Sequence, residues 1–380
     1  MRIAFLTNNT GTDNGWGRFS RELIAAVSRL PGITVSVFTE EKGRDFPNEP
    51  VLSGALRFSC QNSIFSLFLH LPKLWSAARR LKRNIRNADI IHALDGYPYG
   101  AIGALAKESR HRLVITLQGS YALTAFSYPL ERRLFRYGLS QAGAVTAISR
   151  FTRERFSYFV PDIDPVVIGH GTPSLFLSAP RSTNPPLVAS PYLLSVGAVK
   201  PQKGYSISLE AFARVRKRFT DLHYVIVGHL GDRHLQDVRA RIRELTIERQ
   251  VHFFERLTDA ELISLYDHAE LFILTPRTIG SVVEGFGLVY REAGARGLTV
   301  VGSRDCGAED AIIDGKTGIL VPQGDAEAVR NAIETLLADP VMRRRMGEEG
   351  RKLAREWTWD RVAREYKKVY EGVLAGSEIH

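Results

Sequence analysis

Short apolar runs alternate with amphipathic helical segments along most of the chain. In the first half, apolar runs predict strands at residues 3–7, 33–38, 89–94, 113–117 and 144–148. In the second half they predict strands at residues 192–196, 224–227, 251–254, 271–274 and 299–301. Buried strands separated by amphipathic helices are typical of parallel sheets covered on both faces. The pattern therefore predicts an α/β protein with two doubly wound domains.

A proline-rich segment separates the two series of elements. Residues 178–191, SAPRSTNPPLVASP, contain four prolines and no hydrophobic periodicity, which is typical of a linker. We therefore predict a first domain over 1–178, a linker over 179–191, a second domain over 192–357 and a C-terminal helix over 358–380. Ligands of doubly wound domains bind outside the carboxyl ends of the strands, so functional residues are expected there.

The composition narrows the class of protein. Among 380 residues, 44% are hydrophobic and 24% are charged, which is ordinary for a globular protein. Cys60 and Cys306 are the two cysteines, too few for a disulfide framework. No apolar run reaches the roughly 18 residues that span a bilayer, and the N-terminus lacks the pattern of a signal peptide. These observations predict a cytoplasmic protein.

The net charge of +10 lies entirely in the first half of the chain. Up to Ser190, Lys and Arg outnumber Asp and Glu by 23 to 13, whereas the remaining residues contain 28 of each kind. A one-sided positive field attracts an acidic acceptor, an anionic membrane surface or nucleic acid, and it also favours solubility without any partner. No nucleic-acid-binding motif accompanies the charge, so no nucleic-acid partner is expected.

Part of this charge lies on a predicted amphipathic helix, residues 67–86. Its apolar positions recur at helical spacing, and its basic residues fall mostly on the other face: Arg79, Arg80, Lys82, Arg83 and Arg86. One interpretation is a helix that covers the sheet and leaves its basic face in water. The alternative is peripheral docking at the inner face of an anionic membrane, or steering of an acidic acceptor.

The most informative local motif is EGFGLVYRE, from Glu284 to Glu292. It follows a predicted strand and opens a helix. Gly285 and Gly287 carry no side chain that would hold a ligand away from the main chain. Free N–H groups at a helix N-terminus favour a phosphate-bearing ligand, and carboxylates accept hydrogen bonds from vicinal hydroxyls. The alternative is a capped surface helix with two solvated glutamates.

The motif Glu284-x7-Glu292 resembles the signature of the retaining nucleotide-sugar glycosyltransferase family 4, whose members have the GT-B fold. Further segments are similar to the family's motifs in the expected order, namely YLLSVGAVKPQKG (192–204), VVGSRDCGAED (300–310), DGKTGILVP (314–322) and WTWDRVAREYKKVYEGVL (357–374). The resemblance implies two Rossmann-like domains that face each other across a cleft. It also implies closing donor-site loops over 300–310 and 314–322 and a last helix that crosses back to the first domain.

The resemblance also implies roles for individual residues. The second domain would bind a nucleoside-diphosphate sugar of UDP or GDP type, and the first would bind a glycan, lipid-linked or small-molecule acceptor, as in the synthesis of surface polysaccharides or glycoconjugates. Lys203 would neutralise the departing diphosphate, Glu284 would bind the sugar hydroxyls and Glu292 the ribose. The implied donor-binding residues are Gly15, Gly17, Gln118, Gly197, Lys203, Arg277, Glu284, Gly285, Phe286, Gly287, Leu288, Val289 and Glu292, with Lys203 and Glu284 catalytic.

Four positions depart from the family pattern. Ala198 stands where arginine is usual, Gln118 where histidine is usual, Glu255 where glycine is usual near the base, and Asp310 where glutamate is more frequent. Gln118 cannot become cationic, which favours a positioning role over proton chemistry. Lys200 or Arg277 are the candidates to replace the missing arginine.

Two further questions stay open at the level of sequence. Retention of configuration is compatible with proton transfer to a donor phosphate oxygen or with a double displacement through a carboxylate. Asp162-Ile163-Asp164 lies between prolines and is interpreted as an exposed turn, so neither a metal ion nor another cofactor is expected.

Two other classes of function remain as alternatives. The first is a dinucleotide-dependent oxidoreductase, suggested by Gly15-x-Gly17, although Ser20 replaces the third glycine of that motif. The second is a non-catalytic protein that binds a nucleotide sugar, a membrane or nucleic acid.

Overall fold

The computed structural model describes residues 1–11, 15–39, 64–183, 185–231 and 233–376. Cys60 lies outside these residues. The described chain forms two compact units, the first comprising 1–170 together with the segment from Trp359 onward, and the second comprising 171–358.

The first unit contains, in its described residues, one parallel sheet of six strands in the order β2-β1-β3-β4-β5-β6. The strands are β1 (Arg2–Thr7), β2 (Thr34–Thr39), β3 (Ile90–Ala93), β4 (Arg112–Leu117), β5 (Ala144–Ala147) and β6 (Val166–Val167). The helices are α1 (Gly15–Ser28), α2 (Ile64–Asn84), α3 (Tyr99–Ala106), α4 (Gly119–Thr124), α5 (Pro129–Ser140) and α6 (Arg150–Ser157).

Its central strands β1, β3, β4 and β5 are buried on both faces, as their nearly continuous apolar sequences predict. In β1, for example, Ile3, Phe5 and Leu6 are at most 1% exposed. Helix α2 buries Leu74 and Leu81 and exposes its basic residues, so the predicted amphipathic helix is confirmed.

The second unit contains a parallel sheet that is also six-stranded within the described residues, in the order β12-β11-β10-β7-β8-β9. Its strands are β7 (Tyr192–Val196), β8 (His223–Val227), β9 (Val251–Phe254), β10 (Leu271–Ile273), β11 (Val300–Ser303) and β12 (Gly318–Val321). Its helices are α7 (Ser174–Ser178), α8 (Tyr205–Val215), α9 (His234–Glu244), α10 (Asp259–His268), α11 (Leu288–Ala295), α12 (Ala308–Ala311), α13 (Ala326–Ala338) and α14 (Pro340–Glu356).

The strand order of the second unit places its first strand, β7, next to its fourth, β10, which is the Rossmann arrangement. The sequence predicted two doubly wound α/β domains, and the two sheets confirm that fold class. One detail was wrong. Residues 314–322 were expected as a closing loop, whereas Gly318–Val321 form β12, which pairs with β11 at the sheet edge.

Two segments lie at the boundaries of the units. The last helix, α15 (Trp359–Leu374), belongs to the first unit, where the Tyr370 hydroxyl lies 2.8 Å from His92 Nδ1. The segment interpreted as a linker is bound to the second unit, because Arg296 donates to the carbonyl oxygens of Ala179 and Pro180.

Candidate active site

The two loops that carry the predicted catalytic residues leave neighbouring strands of the second unit. The loop after β7 ends in a 3-10 turn, Pro201–Lys203, and the loop after β10 runs to Gly287 at the start of α11. Strands β7 and β10 are adjacent where the strand order reverses. In sheets of this kind the ligand crevice lies outside the carboxyl ends at that point.

Lys203 and Glu284 meet at this position. Lys203 Nζ donates to Glu284 Oε2 at 2.5 Å, and the two side chains are 20% and 12% exposed. A charge-assisted hydrogen bond of this length is among the stronger polar contacts in a protein. The sequence predicted both residues for one site but did not predict that they bind each other.

A glycine in the left-handed conformation brings the Lys203 loop against the β10 loop. Gly204 has φ +72°, and a Cβ atom there would overlap the carbonyl oxygen of Thr275. Arg277 N donates to Gln202 O at 2.8 Å, and Thr275 Oγ1 donates to Gly204 O at 3.3 Å. The two loops are therefore joined through main-chain contacts that only glycine at 204 permits.

The predicted glycine turn precedes α11. Gly287 caps the helix with φ +80°, and a Cβ atom there would lie 2.5 Å from the Tyr290 ring. Gly307 N donates to Glu284 O at 2.9 Å, and the missing side chain of Gly307 allows close approach to Gly285. The N–H groups of Leu288 and Val289 open α11 and have no earlier turn of the helix to donate to, so this N-terminus favours an anion.

Glu292 lies one turn inside α11 and is 3% exposed. Its Oε2 accepts a hydrogen bond of 2.9 Å from the hydroxyl of Tyr266 in α10. The sequence analysis missed Tyr266, because nothing in the spacing of 26 residues relates α10 to α11. The carboxylate of Glu292 is consequently held in one orientation.

Two buried tyrosines support the same loops. Tyr205 donates to Gly197 O at 2.7 Å, and Tyr290 donates to Leu274 O at 2.7 Å. Burial, with a further contribution from Glu284, raises the pKa of both phenols well above the ordinary value, so they remain hydrogen-bond donors. Burial also raises the pKa of the Cys306 thiol to about 12, which makes this cysteine an inert packing residue.

Arg277 exposes its side chain, and its guanidinium forms no hydrogen bond or ion pair with the residues that the structure describes. Its main chain lies beside Gln202, next in sequence to Lys203. Phe286 of the glycine turn is buried, and the guanidinium carbon of Arg291 lies 5.8 Å from its ring centroid. The exposed guanidinium of Arg277, in a loop bonded to that of the paired Lys203, suits a ligand with two phosphates.

Glu255 lies at the carboxyl end of β9. Its Oε1 is 2.6 Å from His229 Nδ1 and accepts a 3.0 Å hydrogen bond from Leu230 N. The Leu230 N–H, and after it the His229 ring, lower the pKa of Glu255, so the carboxylate is ionised at neutral pH. This substitution for the family's glycine joins the loops that follow β8 and β9.

Three predicted residues lie in the first unit, at the carboxyl ends of its strands. Gln118 Nε2 donates to Leu94 O at 2.6 Å, so its amide holds main chain. Gly17 lacks the Cβ that would overlap Asn9, whereas a Cβ at Gly15 would meet nothing within 4 Å.

The Asp162-Ile163-Asp164 segment forms a turn, and Asp164 accepts two hydrogen bonds from Arg153 at 2.5 and 2.8 Å. Over the described part of the chain, no group of three or more His, Cys, Asp or Glu side chains is placed to hold a metal ion. No helix there is long and apolar enough to cross a membrane.

Solved structures share this fold over nearly the whole chain. Sucrose-phosphate synthase from Thermosynechococcus elongatus has a TM-score of 0.79 at 22% identity, covering 99% of this chain and all of that one. Anabaena HepE in complex with UDP-glucose has a TM-score of 0.75 at 19% identity, covering 98% of this chain and all of the other. The fold is therefore that of the GT-B glycosyltransferases.

Sequence comparison gives the family. The profile described as Glycosyltransferase Family 4 matches residues 13–174, and the profile described as Glycosyl transferases group 1 matches residues 183–353. The GDP-mannose-dependent alpha-(1-6)-phosphatidylinositol monomannoside mannosyltransferase of Mycolicibacterium smegmatis is 31% identical over 296 residues, 75% of this chain and 77% of its own length. The chain belongs to glycosyltransferase family 4 and is a nucleotide-sugar glycosyltransferase.

Proposed function

We propose that this protein is a retaining, metal-independent mannosyltransferase that moves mannose from GDP-mannose to a hydroxyl of a lipid-linked acceptor. The donor and acceptor classes are taken from the relative at 31% identity, whose name states GDP-mannose and a phosphatidylinositol mannoside. The GT-B neighbours are less than 25% identical and support the fold alone.

The observation that carries the proposal is the Lys203–Glu284 pair at the reversal of the strand order. As the bond between the anomeric carbon and the diphosphate oxygen breaks, negative charge grows on the departing diphosphate. In this proposal the ammonium of Lys203 and the N–H groups at the start of α11 stabilise that charge. Glu284, once Lys203 turns to the diphosphate, accepts hydrogen bonds from the sugar hydroxyls.

The remaining residues bind and orient the donor. Glu292, held by Tyr266, accepts hydrogen bonds from the ribose hydroxyls. Arg277 supplies a second cation to the phosphates. The main chain at Gly197, Gly285 and Phe286 contacts the bound donor. In the first unit, Gln118 holds the main chain at Leu94 and so has a positioning role.

Retention of configuration requires that the acceptor oxygen bonds to the anomeric carbon on the face from which the diphosphate departs, or that two inversions occur. In the first route a phosphate oxygen of the departing diphosphate takes the acceptor's proton. In the second, a carboxylate displaces the diphosphate from the anomeric carbon, and the deprotonated acceptor oxygen then displaces that carboxylate. Both routes leave GDP and a mannosylated acceptor, and neither requires a metal ion.

The acceptor's lipid would place the protein at the inner face of the cytoplasmic membrane. Trp75 is 55% exposed on α2, beside the exposed Arg79 and Arg83. A basic helix face with an exposed indole suits an anionic bilayer surface. We propose this face, Trp75 with Arg79, Arg80 and Arg83, as the membrane contact.

The test is a transfer assay on the full chain. GDP-mannose, UDP-glucose and ADP-glucose are offered with phosphatidylinositol and its monomannoside in detergent micelles, with and without EDTA. We expect an α-linked mannosyl product from GDP-mannose alone, unaffected by EDTA, and loss of product with Glu284→Gln. A β-linked product, an EDTA-sensitive rate or transfer from another donor would each contradict the corresponding part of the proposal.

A further inference from the structure

Arg296, at the C-terminus of α11, is a charged residue that is almost completely buried. Its side chain is 5% exposed, and that of Asp267 in α10 is 2% exposed. Arg296 Nε donates to Asp267 Oδ1 at 2.8 Å, and Nη2 donates to Oδ2 at 2.7 Å, which is the bidentate geometry of a strong arginine–carboxylate pair. Apolar residues of similar volume often stabilise a protein as well as a buried ion pair does, so stability alone does not account for these two charges.

The other N–H groups of Arg296 bind the segment that precedes β7. Three carbonyl oxygens accept from Nη1 or Nη2, namely those of Phe176 at 3.1 Å, Ala179 at 2.7 Å and Pro180 at 2.9 Å. Together with the two bonds to Asp267, these contacts use the five donors that a guanidinium has. Asp267 holds the same segment, because its Oδ2 accepts from Ser182 N at 2.8 Å.

A second polar contact between α10 and α11 lies beside this ion pair. Tyr266 precedes Asp267 in α10, and its hydroxyl donates to Glu292 at 2.9 Å. Glu292 lies one helical turn before Arg296, whose N–H donates to Glu292 O at 3.3 Å. Consecutive residues of α10 therefore bind residues one turn apart at the end of α11. The ion pair fixes these two helix ends next to the point where Tyr266 meets Glu292.

Phe176 of α7 joins the two contacts. It is fully buried, its carbonyl oxygen accepts from Arg296, and its ring packs edge-on against the Tyr266 ring, with 5.5 Å between the centroids and 85° between the planes. The guanidinium of Arg296 thus holds the residue that packs on Tyr266, and Tyr266 in turn holds the carboxylate of Glu292. A continuous series of direct contacts leads from the ion pair to Glu292.

We propose that Arg296 is a positioning residue for the donor. Paired with Asp267, it holds Phe176 and Tyr266 so that the Glu292 carboxylate is oriented towards the ribose hydroxyls of the nucleotide. The proposal rests on the proposed function, because it takes Glu292 as the residue that binds the ribose. Arginine serves here through its shape as well as its charge, since lysine has three donors on a single nitrogen and cannot replace five bonds from a planar group.

Nucleotide binding by the full chain tests this role. GDP, UDP and ADP are titrated by calorimetry, each together with its 2′,3′-dideoxy analogue, which lacks the ribose hydroxyls. The ratio of the two dissociation constants separates the ribose contact from all other contacts of the nucleotide. We expect GDP to bind the wild type at least about tenfold more tightly than its dideoxy analogue, and Glu292→Ala to remove this preference.

Arg296→Lys should lower the ratio at least about threefold by weakening GDP binding, while the affinity for dideoxy-GDP stays unchanged. In the Glu292→Ala background, Arg296→Lys should change the ratio no further, because it acts through that carboxylate. The matched control is Arg343→Lys. Arg343 pairs with Glu270 at 2.6 Å in the same unit, and its substitution should leave the ratio unchanged.

Thermal denaturation of the same variants separates positioning from stability. Phe176→Leu is a second variant, which keeps the ion pair but removes the ring that packs on Tyr266, and it should lower the ratio at least about twofold. A purely structural role would lower the melting temperature and leave the ratio unchanged. That result in Arg296→Lys, or in Phe176→Leu where Arg296→Lys does not fold, would overturn the proposal.

The same titrations keep this proposal apart from the proposed function. A wild type that binds UDP or ADP more tightly than GDP would refute the proposed donor alone, since the ratio is then measured on that nucleotide and its analogue. A preference that is lost in Glu292→Ala and kept in Arg296→Lys would refute the positioning role alone. Equal affinities of the wild type for every nucleotide and its dideoxy analogue would refute both.

Discussion

The Tyr266 hydroxyl donates a 2.9 Å hydrogen bond to Oε2 of Glu292. Tyr266 is 1% exposed and packs with Phe176 and Phe272, so its hydroxyl has little freedom. A carboxylate fixed in this way is ready to accept hydrogen bonds from a diol without first losing conformational entropy.

Removal of this carboxylate should weaken donor binding. We expect Glu292→Ala to reduce GDP affinity by about 1–3 kcal/mol, since hydroxyl contacts to a buried charged group are lost. Tyr266→Phe should have a smaller effect, because the carboxylate remains. Titration calorimetry measures the GDP affinity of both variants. The control is Glu244→Ala, since Glu244 is a 63% exposed residue of α9. An unchanged affinity in Glu292→Ala would remove this residue from the site.

Lys203 should act more on turnover than on binding. The charge that it faces grows as the diphosphate departs, so we expect Lys203→Ala to lower kcat by a larger factor than donor affinity. Lys217→Ala is the control, since Lys217 is exposed and lies in the same unit, just beyond the end of α8. Steady-state kinetics with calorimetry separates the two quantities. Equal losses in kcat and in affinity would assign Lys203 to ground-state binding.

The contact between the two loops predicts that alanine destabilises the protein much more at one of two glycines of similar conformation than at the other. Gly204 (φ +72°) faces Thr275 O, whereas a Cβ at Gly315 (φ +70°) would meet nothing within 4 Å. We expect Gly315→Ala to cost about 1–2 kcal/mol of unfolding free energy from conformation alone. Gly204→Ala should cost more than about 3 kcal/mol, because main chain must also move. Urea denaturation of both variants gives the comparison, and similar values would contradict the close contact.

His92 should make the stability of the first unit depend on pH. Complete burial lowers the pKa of His92 to about 3, from an ordinary value of 6.5, while its ring nitrogens contact Tyr370 and Thr116. The unfolded chain therefore takes up a proton below pH 6.5 that the folded chain refuses. Stability from this group is complete above pH 6.5 and falls by about 1.4 kcal/mol per pH unit as pH decreases towards 3.

Denaturation at pH 7, 6 and 5 in wild type and His92→Asn measures this contribution. The wild type should lose stability faster than the variant on acidification, since the other histidines are common to both. Parallel curves for the two proteins would show that His92 titrates alike in the folded and unfolded chains.

Membrane contact through α2 gives the last prediction. The double variant Arg79→Glu/Arg80→Glu reverses two charges on this helix. We expect its sedimentation with vesicles that contain phosphatidylglycerol to fall at least about tenfold at low salt. The reason is that each basic residue near an anionic surface contributes about 1 kcal/mol of binding free energy. The matched control is Arg344→Glu/Arg345→Glu, an adjacent exposed pair on α14. Equal losses in both double variants would indicate a general effect of net charge.

The sequence predicts the fold well, because buried strands of parallel sheets are nearly continuous apolar runs. It fails at Gly318–Val321, because the resemblance to the family assigned residues 314–322 to a closing loop, whereas part of them forms the edge strand β12. For the candidate site, the motif Glu284-x7-Glu292 predicts the two glutamates, and the segment 192–204 predicts Lys203. Spacing along one chain cannot predict that Lys203 and Glu284 bind each other or that Tyr266 holds Glu292, since these contacts depend on how separate helices pack.

The first unit is made of two stretches from opposite ends of the sequence, and this affects how the protein folds during synthesis. Residues 171–358 are contiguous, so the second unit has all its sequence once that stretch has left the ribosome. The first unit, although translated earlier, lacks Tyr370 as partner for the buried His92 until the last helix emerges. The domain that is made first is therefore completed last, and premature termination near the 3′ end of the message would leave it unfinished.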